Sequence, residues 1–200
     1  GKMSCSFGDI GTLSFFPSKN LGAMGDAGMC LTNDDELASG LRQLRVHGEN
    51  PKYFHKWEGL NRRLDTMQAA VLLVKLEALA DWSKARRANA AFYDEHLRDI
   101  PGLKTPKIDD KAVTIYNQYT LVTQRRDELM AHLQKKDIGC AVYYPLPLHL
   151  QECFAELGYK AGDLPVAEAL AQQVLSIPIY PELTVEMKQY VVDSIREFYA

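Results

Sequence analysis

Lys19 is the residue of this chain best placed to do chemistry, because of what surrounds it in the run SFFPSKNLGAMGDAG at positions 14–28. A lysine amine condenses with aldehydes, and partial withdrawal from water favours the free base that does so. A lysine in a turn is ordinarily just solvated. Here an apolar, aromatic run at 13–16 precedes it. Gly22, Gly25 and Gly28 follow; glycine tolerates backbone conformations closed to other residues and lets backbone approach closely. Asp26 sits among those glycines, where a turn role is expected for it. On residue types alone, Lys19 is either a tether that snorkels to water or a lysine kept for its amine.

The elements that must position this lysine are legible around it. Residues 13–16 read as a buried strand, ended by Pro17, which cannot donate to a ladder. Residues 29–32 form a second short apolar run. Asn33 and Glu36 have capping-box spacing, opening a helix with Leu37, Leu41 and Leu44 on one face. It should end near His47-Gly48, with Arg42 and Arg45 suiting the negative helix end. The stretch 49–60 (ENPKYFHKWEGL) has too many large side chains for a linker and reads as a packed loop. A second capping box, Asp65 to Gln68, opens a long helix with Met67, Ala70, Val71, Val74, Leu76 and Leu79 largely on one face. That helix is expected to run to about Leu97, with a change of face near Trp82, until Pro101-Gly102 breaks it.

Beyond it, strands at 115–122, 139–144 and 175–179 alternate with helices at 126–135, 150–157 and 165–174. A last helix has Met187, Tyr190, Val191, Ile195 and Phe198 on one side. Alternating strands and helices indicate a small α/β domain. No internal repeat or low-complexity tract is present.

Composition narrows the field. With 23 Lys and Arg against 26 Asp and Glu, the formal charge is −3, which argues against a nucleic-acid binder. Cys5, Cys30, Cys140 and Cys153 form no CxxC pair and read as small buried hydrophobes of a reducing, cytoplasmic setting, with no metal site among them. No apolar run is long enough to span a bilayer, and no signal peptide opens the chain. The first residues lead directly into what reads as a core strand. The expectation is that this is the C-terminal part of a longer polypeptide.

Several blocks together resemble the DegT-type (DegT/DnrJ/StrS) sugar-nucleotide aminotransferases. They are Ser14-Phe15-Phe16-Pro17-Ser18-Lys19-Asn20-Leu21-Gly22 with Gly25-Asp26-Ala27-Gly28, then Val46-His47-Gly48, and Asn61-Arg62-Arg63-Leu64-Asp65 with Gln68-Ala69-Ala70. Tyr144-Pro145-Leu146-Pro147-Leu148-His149 and Leu175-Ser176-Ile177-Pro178-Ile179-Tyr180-Pro181 complete the set. They span nearly the whole chain in the family's order.

The resemblance implies fold-type I, an α/β fold with a large domain around a mostly parallel sheet and a small α/β domain. Residues 1–80 would be the C-terminal part of the large domain, and 81–200 the bridging helix and small domain. It implies pyridoxal 5′-phosphate as cofactor, bonded covalently to Lys19, whose freed amine would then carry a proton to and from the substrate carbon. Ser14 would bind the phosphate, and Asn61 and Arg63 would reach across a homodimer interface to the partner's cofactor. Read on residue type alone, Arg63 would be a surface partner of Asp65.

Tyr143, Tyr144, His149 and His55 are implied substrate contacts, and His47 a packing residue. Tyr143 stands where many members of the family have His, and a tyrosine does not titrate near neutral pH. The implied reaction moves an amino group from glutamate to a nucleotide-linked keto sugar. Lys52-Tyr53-Phe54-His55 favours a 3-keto sugar, such as UDP-2-acetamido-2-deoxy-3-oxo-glucuronate. The family's upstream elements are missing from this sequence, so these residues alone are expected to be inactive. Two rival readings are a non-catalytic regulatory or binding member of the same fold and an α/β interaction domain. The retained Lys19 counts against the first, and the second leaves the linked motif blocks unexplained.

Overall fold

The computed structural model describes residues Gly1–Ala200, which divide into two compact units, Gly1–Ala80 and Asp81–Ala200. In the first unit, strands β1 (Gly11–Ser14) and β2 (Gly28–Leu31) pair antiparallel, with Gly11 opposite Leu31 and Ser14 opposite Gly28. The residues expected to be buried are mostly exposed: Leu13, Met29 and Leu31 all face solvent, and only Phe15, Ala23 and Leu72 close into a small core. A two-stranded ribbon has too few neighbours to cover its own faces.

Helix α1 spans Asp35–Leu44. Its cap is Asp34, not Asn33: the Asp34 carboxylate accepts from Leu37 N–H at 2.9 Å, which leaves Glu36 one position short of the capping-box place. The helix ends where expected. His47 and Gly48 both take positive φ (65° and 71°), turning the chain away. The aromatic stretch behind it is a packed loop. A Cβ on Gly48 would lie 2.0 Å from the Trp57 carbonyl oxygen, and one on Gly59 would lie 2.1 Å from Gly48 N.

The single long helix of the sequence reading is two helices, α2 (Thr66–Leu76) and α3 (Leu79–Leu97). α2 is apolar nearly all round, so periodicity could not select its inner face. The buried residue is Leu72, whereas Met67, Val74 and Leu76 of the expected face are exposed.

The second unit has a closed core. Its sheet is antiparallel in the order β3 (Leu103–Lys104), β4 (Tyr119–Thr123), β5 (Val174–Ile177). β4 alternates strictly, sending Tyr119, Leu121 and Thr123 inward, while β5 is buried throughout. Against it pack α3, α4 (Arg126–Lys135) and α6 (Val185–Tyr199), through Ala90, Tyr93 and Leu97, Leu129 and Leu133, and Val191, Val192 and Ile195. Thr184 caps α6 by accepting from Met187 N–H. Met187 and Tyr190, expected on its inner face, are about half exposed.

The expected strand at 139–144 reduces to one bridge, Ala141 to Ser176, because Pro145 and Pro147 follow at once and cannot extend a ladder. The expected helix at 150–157 is a 3-10 turn, Glu152–Leu157, and α5 covers Pro165–Gln173. All four cysteines are free thiols, with Cys30 and Cys153 exposed and not buried as expected. No helix is long and apolar enough to cross a membrane.

Candidate active site

Lys19 stands at the close of a tight turn that leaves β1. Its N–H donates to the Phe16 carbonyl at 2.8 Å, a four-residue turn with Pro17 at the second position, where a fixed φ suits it. The side chain is exposed and takes part in none of the chain's ion pairs. The following loop folds back on the strand end: Ala23 N–H donates to Phe15 O, and Phe15 N–H donates to Ala27 O, both at 2.8 Å.

Of the two uses expected of these glycines, unusual conformation and close approach, the structure shows the second. None of Gly22, Gly25 and Gly28 takes positive φ; they permit close approach. A Cβ on Gly22 would stand 2.4 Å from the Pro17 carbonyl oxygen, and one on Gly28 would stand 2.9 Å from that of Leu13.

α2 braces this turn from one face, using residues 68, 72 and 75 at helical spacing. Gln68 Oε1 accepts from Met24 N–H at 2.8 Å, Leu72 packs with Phe15 and Ala23, and Lys75 Nζ donates to the Gly22 carbonyl. Gln68 is thus a turn clamp and not a capping residue; Asp65 carries no side-chain cap bond. Lys75 escaped the sequence reading. Its signal was a lone cation inside an apolar helix, seven residues after Gln68.

Three other expected residues lie in the same unit. Ser14 Oγ accepts from Phe16 N–H at 3.3 Å, which leaves its own hydrogen available to a further acceptor. Asn61 bridges to Val46, and Leu60 and Arg62 donate to Leu44 O and Arg45 O, so the 60–62 segment is strapped to the end of α1. Arg63 beyond it is exposed and not paired with Asp65. His55 Nδ1 donates to the His47 carbonyl at 2.9 Å, which fixes the proton on that nitrogen and leaves Nε2 for another partner. His47 itself is exposed and contributes its backbone more than its ring.

Tyr143, Tyr144 and His149 belong to the second unit. Both tyrosines are exposed at the surface. Tyr143 also lines a cavity of about 600 Å³ with Asn117, Gln118, Tyr180 and Tyr190. His149 is only 8 % exposed, and its Nε2 lies 3.0 Å from Glu168 Oε1. Glu168 also accepts from Gly162 and Leu164 N–H, and the Gly162 bond is the main cause holding its carboxyl below the usual range, with His149 adding to it. Glu168 was not singled out from sequence, since it lies on a helix outside the segment it holds. No group of histidines, cysteines and carboxylates is arranged to hold a metal ion.

A strand, a lysine-bearing turn braced by α2, and then an α/β unit define a class: the mixed α/β fold of the pyridoxal-phosphate-dependent sugar aminotransferases. DesV of S. venezuelae, a solved structure, superposes with a TM-score of 0.92 at 42% identity over 96% of this chain and 52% of its own. The chain belongs to the DegT/DnrJ/EryC1/StrS aminotransferase family, which it matches over residues 1–196.

Among curated relatives, a "Pleiotropic regulatory protein" of Geobacillus stearothermophilus is 52% identical over all of this chain and 54% of its own length. A UDP-2-acetamido-2-deoxy-3-oxo-D-glucuronate aminotransferase of Pseudomonas aeruginosa is 42% identical over 92% of this chain and 50% of its own length. The chain therefore spans about half the length of the curated relatives it matches.

Proposed function

We propose that the intact protein is a pyridoxal-phosphate-dependent aminotransferase that moves an amino group from glutamate to a nucleotide-linked keto sugar. The observation that carries this reading is Lys19: a primary amine displayed without an ion-pair partner at the end of a turn that glycine contacts and α2 hold in place. That donor set suits a phosphorylated aldehyde, with an amine for the carbonyl and a hydroxyl, Ser14, whose hydrogen is free for a phosphate oxygen. When bound, pyridoxal phosphate supplies the electron sink for the bonds at the substrate carbon.

The residues of this chain do the rest. Lys19 Nζ takes a proton from the donor carbon and returns one, a general base and acid in turn. Ser14 anchors the phosphate. Asn61 and Arg63 supply an amide and a planar guanidinium for an anionic group in a homodimer, the partner's cofactor being the target. The outward face of α2, with Met67 81% exposed beside Leu73, Val74 and Leu76, is consistent with such a covering subunit. Tyr143 and Tyr144 each offer a hydroxyl to a sugar, and His55, in the other unit, separately offers its Nε2. His149, engaged with Glu168, keeps the segment bearing the tyrosines in place. A 3-keto sugar is favoured by Lys52-Tyr53-Phe54-His55 and by the name of the P. aeruginosa relative.

The name of the G. stearothermophilus relative, a regulatory protein, keeps a regulatory role as a second reading. One experiment separates the two. The intact protein with pyridoxal phosphate is expected to show a yellow absorbance band that bleaches on adding glutamate, and Lys19→Ala is expected never to form that band normally. Identical spectra for wild type and variant would make Lys19 a structural lysine and leave the regulatory reading standing.

A further inference from the structure

The second unit contains a buried cation with no acidic partner in contact. Arg86, on α3, is only 7% exposed, yet no carboxylate lies within ion-pair distance. Its Nη1 donates instead to three backbone carbonyls: Ile179 at 2.9 Å, Tyr116 at 3.1 Å and Asn117 at 3.4 Å. Its Nε is buried with no acceptor. Burial pushes this guanidinium below its ordinary range, opposed by the charge of Glu182. A guanidinium held by carbonyls alone, with one donor orphaned, is a poor device for stability, because an apolar side chain of similar volume would avoid both costs.

Arg86 does not act alone. Asn89 and Tyr93 follow it at i+3 and i+7, on the same face of α3. Asn89 Nδ2 donates to Tyr180 O at 2.8 Å, its Oδ1 accepts from Lys188 Nζ, and Tyr93 OH donates to Pro178 O at 2.9 Å. Burial pushes the Tyr93 phenol far above its usual range, so it remains a donor across the working pH range. One helix face thus grips three consecutive carbonyls, Pro178, Ile179 and Tyr180, together with the Tyr116-Asn117 loop. Both gripped segments line the cavity of about 600 Å³, which they enter as Asn117, Gln118, Ile179 and Tyr180. That volume suits a ring-sized group. No Lys or Arg lines the cavity; its polar groups are amides, hydroxyls, the Cys140 thiol and the single carboxylate of Asp137. Such a lining suits an uncharged, hydroxyl-bearing ring better than a phosphate.

We propose that Arg86, with Asn89 and Tyr93, is a positioning residue. It fixes the 116–118 and 178–180 segments as walls of a cavity that takes an uncharged ring of the amino acceptor. The role of the ring as acceptor rests on the aminotransferase reading; the gripping of the walls does not.

The test uses the intact, cofactor-loaded protein and two variants, Arg86→Lys and Asn89→Ala. Lysine keeps the charge, but its shorter side chain ends about one bond short of the Nη1 position that meets the three carbonyls. Amide exchange at Asn117, Gln118, Ile179 and Tyr180 should rise about tenfold in Arg86→Lys, the effect of losing roughly one net hydrogen bond. Leu121 and Leu175, in the sheet, should exchange as in wild type. In turnover, KM for the nucleotide-sugar acceptor should rise about tenfold, with kcat falling less than KM rises. Asn89→Ala should act in the same direction, more weakly and mainly at Tyr180.

Exchange that is unchanged at the wall amides, or that rises evenly through the unit, would overturn the proposal. So would a loss confined to the glutamate half-reaction. If the wild type transfers no amino group, the aminotransferase reading fails, and the exchange measurement alone decides whether Arg86 grips the walls.

Discussion

The two units hold their candidate functional residues in place by different means. In the second, Tyr93, Leu97, Leu121, Leu129, Leu133, Leu175 and Ile195 are fully buried, and the polar groups of α3 grip the cavity walls from inside that core. In the first, three apolar residues form the core, and the lysine turn is ordered by backbone bonds, by glycine contacts and by Gln68 and Lys75. In this chain, which spans about half the length of its relatives, the lysine turn is specified locally, by hydrogen bonds and close approach, and the apolar residues around it are exposed. A cavity wall made of irregular backbone, by contrast, needs a finished core behind it, since its carbonyls must find donors.

The largest effect should come from the second unit's core. Leu129→Ala removes a fully buried side chain and should cost about 2–5 kcal/mol. The chain's two tryptophans fall one in each unit, Trp57 in Gly1–Ala80 and Trp82 in Asp81–Ala200. Single-tryptophan variants of the intact protein can therefore report each unit separately in urea. The Trp82 transition should move to lower urea and the Trp57 transition should stay. Equal movement of both would mean that the units unfold as one and that the contrast drawn above is false.

A smaller effect is expected from the turn. Gly22→Ala places a Cβ where the Pro17 carbonyl oxygen lies only 2.4 Å away, so backbone must shift, at roughly 1–3 kcal/mol. Amide exchange at Lys19 and Ala23, whose N–H groups close the turn, should speed up, and the cofactor band should weaken. Gly25→Ala should do much less, because its Cβ would meet the far end of the Gln68 side chain at 3.1 Å, which can give. If the two substitutions behave alike, local close approach is not what shapes the turn.

The same contrast explains what the sequence could and could not reveal. The lysine turn was legible because its determinants are adjacent: strand, Pro17, Lys19, glycines. The part the glycines play is legible only as two alternatives, since a glycine in a sequence does not distinguish an unusual φ from a close approach. β4, β5, α4 and α6 were legible as elements to within a few residues, but the antiparallel pairing and the short β3 were not. The inner face of α2 was not, because a helix apolar on every side carries no phase. Arg86, Lys75 and Glu168 were missed for one shared reason. Each acts on a segment distant along the chain: Arg86 reaches Ile179, Lys75 reaches Gly22, and Glu168 reaches His149. Charge in a helix says nothing about its destination.

The smallest expected effect sharpens the comparison at its weakest point, the irregular segment 145–164 of the second unit. It lacks regular strands and long helices, and Glu168 gathers it through Gly162 N–H, Leu164 N–H and His149 Nε2. Because these contacts hold the folded carboxyl below its unfolded value, Glu168 binds its proton less readily in the folded state. Its contribution is present in full above the unfolded value and is lost as pH falls through the lowered folded one. Stability read by Trp82 should therefore decline on acidification, and Glu168→Gln should make that decline shallower. It should not abolish it, because Glu186, held by its own backbone N–H and by Thr184, and Glu197, held by Lys136, are lowered too. Parallel pH curves for wild type and Glu168→Gln would show that the carboxylate holds nothing. The tyrosine-bearing segment would then owe its position to the core alone.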